Sequence, residues 1–470
     1  MRRLSLSAGT LAAAQVGGQI IGLAMLVIVS RKIGPGYLGA YAFCYSIVGY
    51  VGLVAAGLPV LGMRDVGGPM TDRRRVLIDT ITAQVLLALI LGVILVGISP
   101  WITPSFASRA LLPILTVQLL INALTVDWYL HGIGRHSVVA ASRFLGQIAY
   151  AAVLLPLLAG GLVGARHYAF ANLAGLGATA AIMLLLVART VGLSSWTVGL
   201  TPMRSRLRRS MPLLWWLLLT QIYYSADLVL VACLAGDRKA GLYAAASKLP
   251  LAVIGVAALW FTVSMPETAR LHATTQLDVI RRQSRVAATT AIVAGLPFIL
   301  LGPIFATGIA ITLFGPKFAG SGPALAVLSV SVAVSLLQIV ITSVVIGAGR
   351  ERPYVRAMSV GAAINVGLNL ILIPRIGIVG AAISTMVSES LVLGAGITQM
   401  MHVTGRLEVR WRSIRQAAAT ACAAGLVALL LRHEAGFVPG GLGAIAVYAA
   451  VIAFRTARDP RWLNGWLGNS

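Results

Sequence analysis

Long apolar stretches, separated by short segments rich in charged residues, glycine and proline, recur along the whole chain. A helix needs about 20 apolar residues to cross the hydrocarbon core of a bilayer. The pattern therefore predicts an all-α polytopic membrane protein with about 14 transmembrane helices, whose boundaries are good to a few residues. The predicted spans lie near 10–30, 38–62, 77–98, 110–130, 137–158, 168–188, 211–235, 241–262, 287–312, 323–347, 354–374, 378–400, 414–431 and 438–454.

The composition excludes several classes of protein. Of the 470 residues, 58% are hydrophobic and only 11% are charged, and the mean hydropathy is +0.90. Soluble domains have about 45–50% apolar and roughly 25% charged residues, so a soluble enzyme and a disordered chain are excluded. A net charge of +24 would suggest nucleic-acid binding in a soluble protein. Here the cations lie in short clusters between apolar stretches, as in membrane-protein loops, so we expect no nucleic-acid partner.

The distribution of lysine and arginine predicts the orientation. These residues are concentrated in alternate loops, on the same side as the N-terminus, which places both termini in the cytoplasm. The basic start resembles a signal peptide, but the apolar stretch continues to Ser30, so we expect a retained first span. All predicted outer loops are short, and the chain contains no catalytic or metal-binding motif that we recognise. We therefore expect neither an enzyme nor a cofactor.

Five short motifs of the first half recur in the same order in the second half. The pairs are 39–42 with 241–244, Pro59 with Pro266, 104–107 with 316–319, 132–135 with 347–350, and 161–165 with 377–381. Each repeat contains six predicted spans, an even number, so both copies have the same orientation in the membrane. Parallel repeats of this kind are typical of transporters with a substrate site between the halves.

The repeat predicts the domain organisation. We expect an N-terminal six-helix bundle over 1–190, a basic cytoplasmic linker over 191–210 and a second six-helix bundle over 211–402. Two additional helices and a tail follow over 403–470. The two parallel bundles are expected to surround a central cavity and to alternate its access between the two sides of the membrane.

Five charged residues fall inside predicted spans: Asp127, Arg143, Asp227, Lys248 and Glu389. A charge inside a span is costly and is a functional candidate by default. Helix rise places the first two at one level near the inner face, and the next two at one level nearer the outer face. Two interpretations are open. The pairs are structural ion pairs, or their cations contact an anionic substrate at two depths, since arginine binds phosphate through two parallel hydrogen bonds.

The remaining candidates concern coupling and sugar binding. Glu389 lies near the middle of its span and is either hydrogen-bonded to a polar neighbour such as Asn365 or protonated during ion coupling. Asp127 is a second coupling candidate, although its position also fits a simple interfacial residue. Tyr223 and Tyr224 lie one turn before Asp227 and are candidates for lining a sugar-accepting cavity, rather than only packing.

Several loose motifs together resemble a known family. They are 30–42, 57–59 followed by Arg64 and Asp65, 226–230, 241–246 with Lys248, 313–318 and 369–382. Taken in order, they resemble the polysaccharide-exporter branch of the multidrug/oligosaccharidyl-lipid/polysaccharide exporter superfamily. The resemblance implies a bacterial inner-membrane flippase with two six-helix bundles and two extra helices. Such a protein moves lipid-linked oligosaccharide, typically on a polyprenyl diphosphate carrier, to the outer leaflet for surface polysaccharide synthesis.

Other functions remain as alternatives. An ion-coupled exporter of small amphipathic cations is less favoured because the first span contains no acidic residue, which the drug-exporting branch often has there. A lipid II flippase is disfavoured because its cavity arginines are missing from the first two spans. A polymerase or ligase would need a sizeable outer loop. The expected partners are the lipid-linked oligosaccharide, membrane lipids, H⁺ or Na⁺, and a polysaccharide polymerase or glycosyltransferase.

Overall fold

The computed structural model describes residues 2–68, 72–162, 164–191, 200–406, 408–435 and 448. In this part of the chain the regular structure is helical, and no strand occurs. The helices are α1 (Arg2–Val66), α2 (Arg73–Ile102), α3 (Phe106–Leu124), α4 (Asp127–Gly132), α5 (His136–Ala159), α6 (Ala165–Val191), α7 (Leu200–Ala235), α8 (Asp237–Ala273), α9 (Leu277–Leu300), α10 (Gly302–Phe314), α11 (Gly322–Gly347), α12 (Glu351–Ile376), α13 (Ile378–Thr404) and α14 (Trp411–Ala435), with a 3₁₀ helix at Pro316–Ser321.

The described residues contain 10 helical segments that are long and apolar enough to cross a membrane. One of these segments, Gly17–Val66, has 50 residues and covers most of the first predicted span and all of the second. Of two shorter apolar helices, Ser225–Ala235 lies within the predicted span 211–235, and Gly302–Phe314 overlaps the end of the predicted span 287–312. The predicted span at 438–454 lies outside the described residues except for Tyr448. The expected all-α polytopic membrane fold is confirmed.

The first helix is two helices joined at a kink. Gly34 has a φ of 76° and a ψ of 174°, inside a segment that is otherwise helical. This positive φ is accessible to glycine at little cost, and Pro35, which has no backbone N–H, starts the next helical segment. The two spans predicted on either side of this position are therefore connected by a tight turn and need no long loop.

The sequence repeat is visible in the backbone. Gly134 and Gly349, equivalent in the two copies, both have a positive φ and both follow a helix. Arg135 N donates to Leu130 O at 2.8 Å, and Arg350 N donates to Val345 O at 3.0 Å, the same helix-ending hydrogen bond. The pairs Gly34 with Gly236 and Gly161 with Gly377 likewise share a positive φ. The two halves thus use the same turn geometry at equivalent positions.

The chain divides into two compact units, residues 1–241 and residues 242–470, called here the N-terminal and C-terminal units. In the N-terminal unit, α1 packs against α2, α3, α5 and α7, and α6 packs against α3 and α5. In the C-terminal unit, α11 packs against α9, α10 and α13, while α12 packs against α13 and α14 against α9. Residues 192–199 of the predicted linker lie outside the described part, and its last residues already belong to α7. The predicted domain boundaries stay predictions.

Two predicted spans are interrupted in the structure. The predicted span 110–130 consists of α3 and the short α4, with the break between Leu124 and Asp127. The predicted span 287–312 consists of α9 and α10, because Pro303 lies at the start of α10 and favours a new helix start there. The first interruption places Asp127 at a helix start.

The core of the N-terminal unit fixes α4. Trp128, Tyr129 and Leu130 are buried among residues of α2, α5 and α6. At Gly62 of α1, a Cβ atom would lie 2.6 Å from the Trp128 ring, so only glycine allows this approach. The indole ring thereby holds α4 against α1, and with it the carboxylate of Asp127.

Candidate functional site

Asp127 and Arg143 form an ion pair in the N-terminal unit. Arg143 Nη2 of α5 donates to Asp127 Oδ2 at 2.7 Å, and Trp128 N donates to the other carboxylate oxygen at 2.8 Å. The Arg143 side chain is 62% exposed and that of Asp127 is 26% exposed. A guanidinium has five N–H donors. The pair therefore leaves the accessible part of the Arg143 guanidinium available for a second anion.

A histidine pair, which sequence analysis did not single out, lies close to this ion pair. Nδ1 of His131 and Nδ1 of His136 are 2.8 Å apart, and the ring centroids are 5.0 Å apart. His131 is on α4, one turn after Asp127, and His136 begins α5. The feature of the sequence that could have indicated this pair is the short turn at Gly134, which connects the two histidines.

Asp227 is buried in α7, with 6% of its surface exposed. Nearby on the same helix, Gln221 Nε2 donates to Ser225 Oγ at 3.0 Å, and Tyr50 OH donates to the Gln221 carbonyl oxygen at 3.3 Å. The turns of α7 just before Asp227 therefore carry hydrogen-bonded polar groups. The side chains of Tyr223 and Tyr224 lie outside the described residues, so their predicted role in sugar binding stays a prediction.

Lys248 lies on α8 and is exposed. It belongs to the C-terminal unit, whereas Asp227 belongs to the N-terminal unit. The two alternatives given for this level of the membrane, an ion pair or a substrate-binding cation, both stay predictions.

Glu389 is buried in α13, with 6% of its surface exposed. Ser335 of α11 donates from Oγ to Glu389 Oε2 at 3.0 Å. Beside it, Asn365 Nδ2 of α12 donates to Ser388 Oγ at 3.2 Å, and Asn369 Nδ2 donates to Asn365 Oδ1 at 2.9 Å. The carboxyl group thus lies next to a hydrogen-bonded network that connects α11, α12 and α13.

A second hydrogen-bonded group, between α11 and α12, contains a buried tyrosine. Tyr354 OH accepts from Gln338 Nε2 at 3.1 Å and from Thr342 Oγ1 at 2.7 Å. We call the set of Ser335, Gln338, Thr342, Tyr354, Asn365, Asn369, Ser388 and Glu389 the polar seam. Of these residues, only Glu389 and Asn365 were predicted from the sequence. Their signal is polar residues at helical spacing on α11 and α12, which points them to one side of each helix.

The described residues contain no group of three or more histidine, cysteine, aspartate or glutamate side chains arranged to hold a metal ion. The candidate sites contain accessible cations, a buried carboxyl group and neutral hydrogen-bonding side chains. Such groups bind anions, protons or monovalent cations.

Comparison with known proteins gives a family and a fold. The profile of the polysaccharide biosynthesis protein family matches residues 7–272. A curated relative, an uncharacterized membrane protein of Methanocaldococcus jannaschii, is 33% identical over 90 residues, which are 19% of this chain and 18% of the relative. The chain thus matches less than a fifth of that relative's length.

Two solved structures have a similar fold. The lipid II flippase MurJ, in an inward closed conformation, superposes with a TM-score of 0.78 at 13% identity, covering 95% of this chain and 99% of the flippase. An inward-facing multidrug resistance MATE family transporter superposes with a TM-score of 0.65 at 17% identity, covering 84% of this chain and 99% of the transporter. At these identities the similarity establishes the fold. Because the family profile matches more than half of the sequence, the chain belongs to the polysaccharide biosynthesis protein family.

Proposed function

We propose that this protein is a flippase that moves lipid-linked oligosaccharide on a polyprenyl diphosphate carrier from the cytoplasmic to the outer leaflet by alternating access, in surface polysaccharide synthesis. The observation that carries the proposal is membership of the polysaccharide biosynthesis protein family. The fold, which is similar to that of a flippase over 95% of this chain, supports it. The protein acts without catalysis, in the inner membrane of a bacterium, with both termini in the cytoplasm.

The diphosphate is the part of the substrate that crosses the membrane least readily without the protein. A charged group is costly in hydrocarbon, whereas the lipid tail is soluble there and can stay in the bilayer. Arg143, paired with Asp127 yet largely accessible, is suited to receive the diphosphate near the cytoplasmic side. Lys248, exposed on α8, is the second cation in this proposal, and Asp227, Tyr223 and Tyr224 are further substrate-binding residues, the two tyrosines as sugar contacts.

The test is transport by Arg143→Ala in proteoliposomes that contain a fluorescent polyprenyl diphosphate oligosaccharide. We expect its initial rate to fall about tenfold or more, since a hydrogen bond to a charged group contributes roughly 1.5–3 kcal/mol. Arg270→Ala is the matched control, because Arg270 is 61% exposed and forms a comparable ion pair with Glu267 at 2.6 Å. It should transport as the wild type does.

A double variant separates substrate binding from a structural ion pair. The double variant is measured without an ion gradient, so that a coupling role of Asp127 does not enter. If Arg143 serves only to neutralise Asp127, then Asp127→Asn combined with Arg143→Gln removes both charges and restores transport. If Arg143 contacts the diphosphate, transport stays low in the double variant. Normal transport by well-folded Arg143→Ala would refute the proposed role of this residue.

We propose further that Glu389 couples transport to an ion gradient by binding H⁺ or Na⁺, with Asp127 as the second coupling candidate. The support is a buried carboxyl group that accepts a hydrogen bond from Ser335 inside an apolar bundle. Glu389→Gln should abolish the dependence of the transport rate on an imposed gradient while gradient-free exchange continues. Ser390→Ala, on the exposed neighbouring position, is the control. Gradient-dependent transport by Glu389→Gln would exclude Glu389.

A second candidate function is ion-coupled export of small amphipathic cations. It is favoured by the similarity to a multidrug resistance transporter and by the buried acids Asp227 and Glu389. The same proteoliposomes discriminate the two, because this function predicts uptake of a cationic dye and no movement of the labelled oligosaccharide.

A further inference from the structure

A group of arginines surrounds the connection between α13 and α14 in the C-terminal unit. Arg281 Nε of α9 donates to the Thr404 carbonyl oxygen at 2.7 Å, at the end of α13. Arg285 Nη1, one turn further along α9, donates to Glu408 Oε2 at 3.2 Å. The connection is therefore tied to the first turns of α9.

Two more contacts hold the connection in place. Arg406 Nε donates to Glu408 Oε1 at 2.7 Å, so the Glu408 carboxylate accepts hydrogen bonds from two arginines. Arg410 N donates to Thr289 Oγ1 of α9 at 3.0 Å. After these contacts α14 begins at Trp411 and packs against α9. The surface that results is built on the packed helices α9 and α14 and on the described residues of the connection.

The charge of this surface is unbalanced. Its members are Arg281, Arg282, Arg285, Arg406, Arg410, Arg412 and Arg415 against the two acids Asp278 and Glu408. Asp278 forms an ion pair with Arg281, and Glu408 forms ion pairs with Arg285 and Arg406. Arg282, Arg412 and Arg415 are exposed, and none of them has an ionic partner among the described residues. We call these three residues the basic patch.

The basic patch lies where helices leave the membrane. Leu277–Leu300 and Ile378–Thr404 are long and apolar enough to span it, and the patch adjoins the start of the first and the end of the second. Trp411, which begins α14 beside Arg412, is 67% exposed. An exposed tryptophan next to arginines is typical of the lipid headgroup region.

We propose that the basic patch is a binding site for the phosphate headgroups of anionic phospholipids, which holds α14 against α9 at the membrane surface. The guanidinium groups of Arg412 and Arg415, one turn apart on α14, and of Arg282 on α9 provide donors for phosphate oxygens. Trp411 occupies the adjoining headgroup layer. The site is separate from Arg143, Lys248 and Glu389, and its occupancy does not depend on what the protein transports.

The test is lipid binding to the purified full-length protein, followed by native mass spectrometry. The protein is titrated in parallel with phosphatidylglycerol and with phosphatidylcholine of the same acyl chains. We expect a preference for phosphatidylglycerol in the wild type. In Arg282→Gln/Arg412→Gln/Arg415→Gln the preference should fall by up to about a hundredfold, since each arginine near an anionic surface contributes a factor of about five.

A matched control removes three exposed cations at other helix ends, in Arg238→Gln/Lys239→Gln/Lys317→Gln. Arg238 and Lys239 lie at the opposite end of α8 from α9, and Lys317 follows α10. This control should keep the wild-type preference. An unchanged preference in the patch variant, or none in the wild type, would overturn the proposal. Competition by soluble glycerol phosphate at equal concentration would show a free-phosphate site, and would overturn the assignment to lipid.

Discussion

At the scale of single residues, glycine determines how closely residues 237–241, at the start of α8, approach α1. A Cβ atom on Gly39 would overlap the carbonyl oxygen of Asp237, and one on Gly241 would overlap that of Pro35. The side chain of Asp237 also accepts hydrogen bonds from Ser105 and Ser108 of the segment that starts α3. The Gly-x-Tyr-Ala motif of both repeats thus has a steric reason for its glycine.

We expect Gly39→Ala to destabilise the protein by about 1–3 kcal/mol, the range for an overpacked side chain. Gly36→Ala is the control, because nothing lies within 4 Å of a Cβ atom there. Its effect should stay within about 0.5 kcal/mol. The melting temperature of each detergent-solubilised variant measures its change in stability. Equal melting temperatures for the two variants would contradict the close approach seen in the structure.

At the scale of elements, short helix-ending turns and ion pairs fix the connections between spans. The repeated turns at Gly134 and Gly349 end helices with the same hydrogen bond in both halves. The connection from α13 to α14 is held by ion pairs instead. There Arg406, with help from Arg285, lowers the pKa of Glu408 below its ordinary value, through hydrogen bonds and charge attraction. The charged form of Glu408 is thus favoured in the folded protein.

This lowered pKa predicts a pH dependence. A carboxyl group whose pKa is lower in the folded state stabilises the fold above its ordinary pKa of about 4.3, and the contribution is lost as the pH falls through the lowered value. The protection of the 405–410 connection against hydrogen exchange, relative to the intrinsic exchange rate at each pH, should therefore fall below about pH 4. Glu408→Gln should show low protection at neutral pH and no further acid effect. Glu351→Gln, at an exposed carboxyl group, should keep the wild-type profile.

At the scale of the whole molecule, the positive charges in alternate loops predict the orientation in the membrane. In this prediction the start of α5 at His136 is cytoplasmic, and its end at Ala159 is on the outside. Ser137, next to His136, and Gly160, next to Ala159, are both exposed. A thiol introduced at either position is therefore accessible to a labelling reagent.

Thiol labelling of intact cells tests this orientation. In a background with Cys44, Cys233 and Cys422 replaced by alanine, Gly160→Cys should react with a membrane-impermeant maleimide. Ser137→Cys should react only after the membrane is permeabilised. The opposite pattern would reverse the orientation of the whole chain and, with it, the direction proposed for transport.

The sequence by itself determined the membrane class, the order of the spans and the repeat. These features depend on local composition: apolar length decides whether a helix can cross the bilayer, and glycine at fixed positions decides where helices turn. The Asp127–Arg143 pair was among the interpretations open from sequence, because the two residues lie on consecutive spans at one depth. The structure then showed the 2.7 Å contact.

Only the tertiary structure decided which polar side chains meet across helices. Ser335 reaches Glu389 from α11, and Arg285 reaches Glu408 from α9, although the partners lie 54 and 123 positions apart in the sequence, respectively. In a membrane, apolar residues face lipid and neighbouring helices alike, so hydrophobic periodicity does not reveal which side of a helix points inward. The rotation of each helix is set by packing against its neighbours, and that information becomes available only when all the helices are assembled.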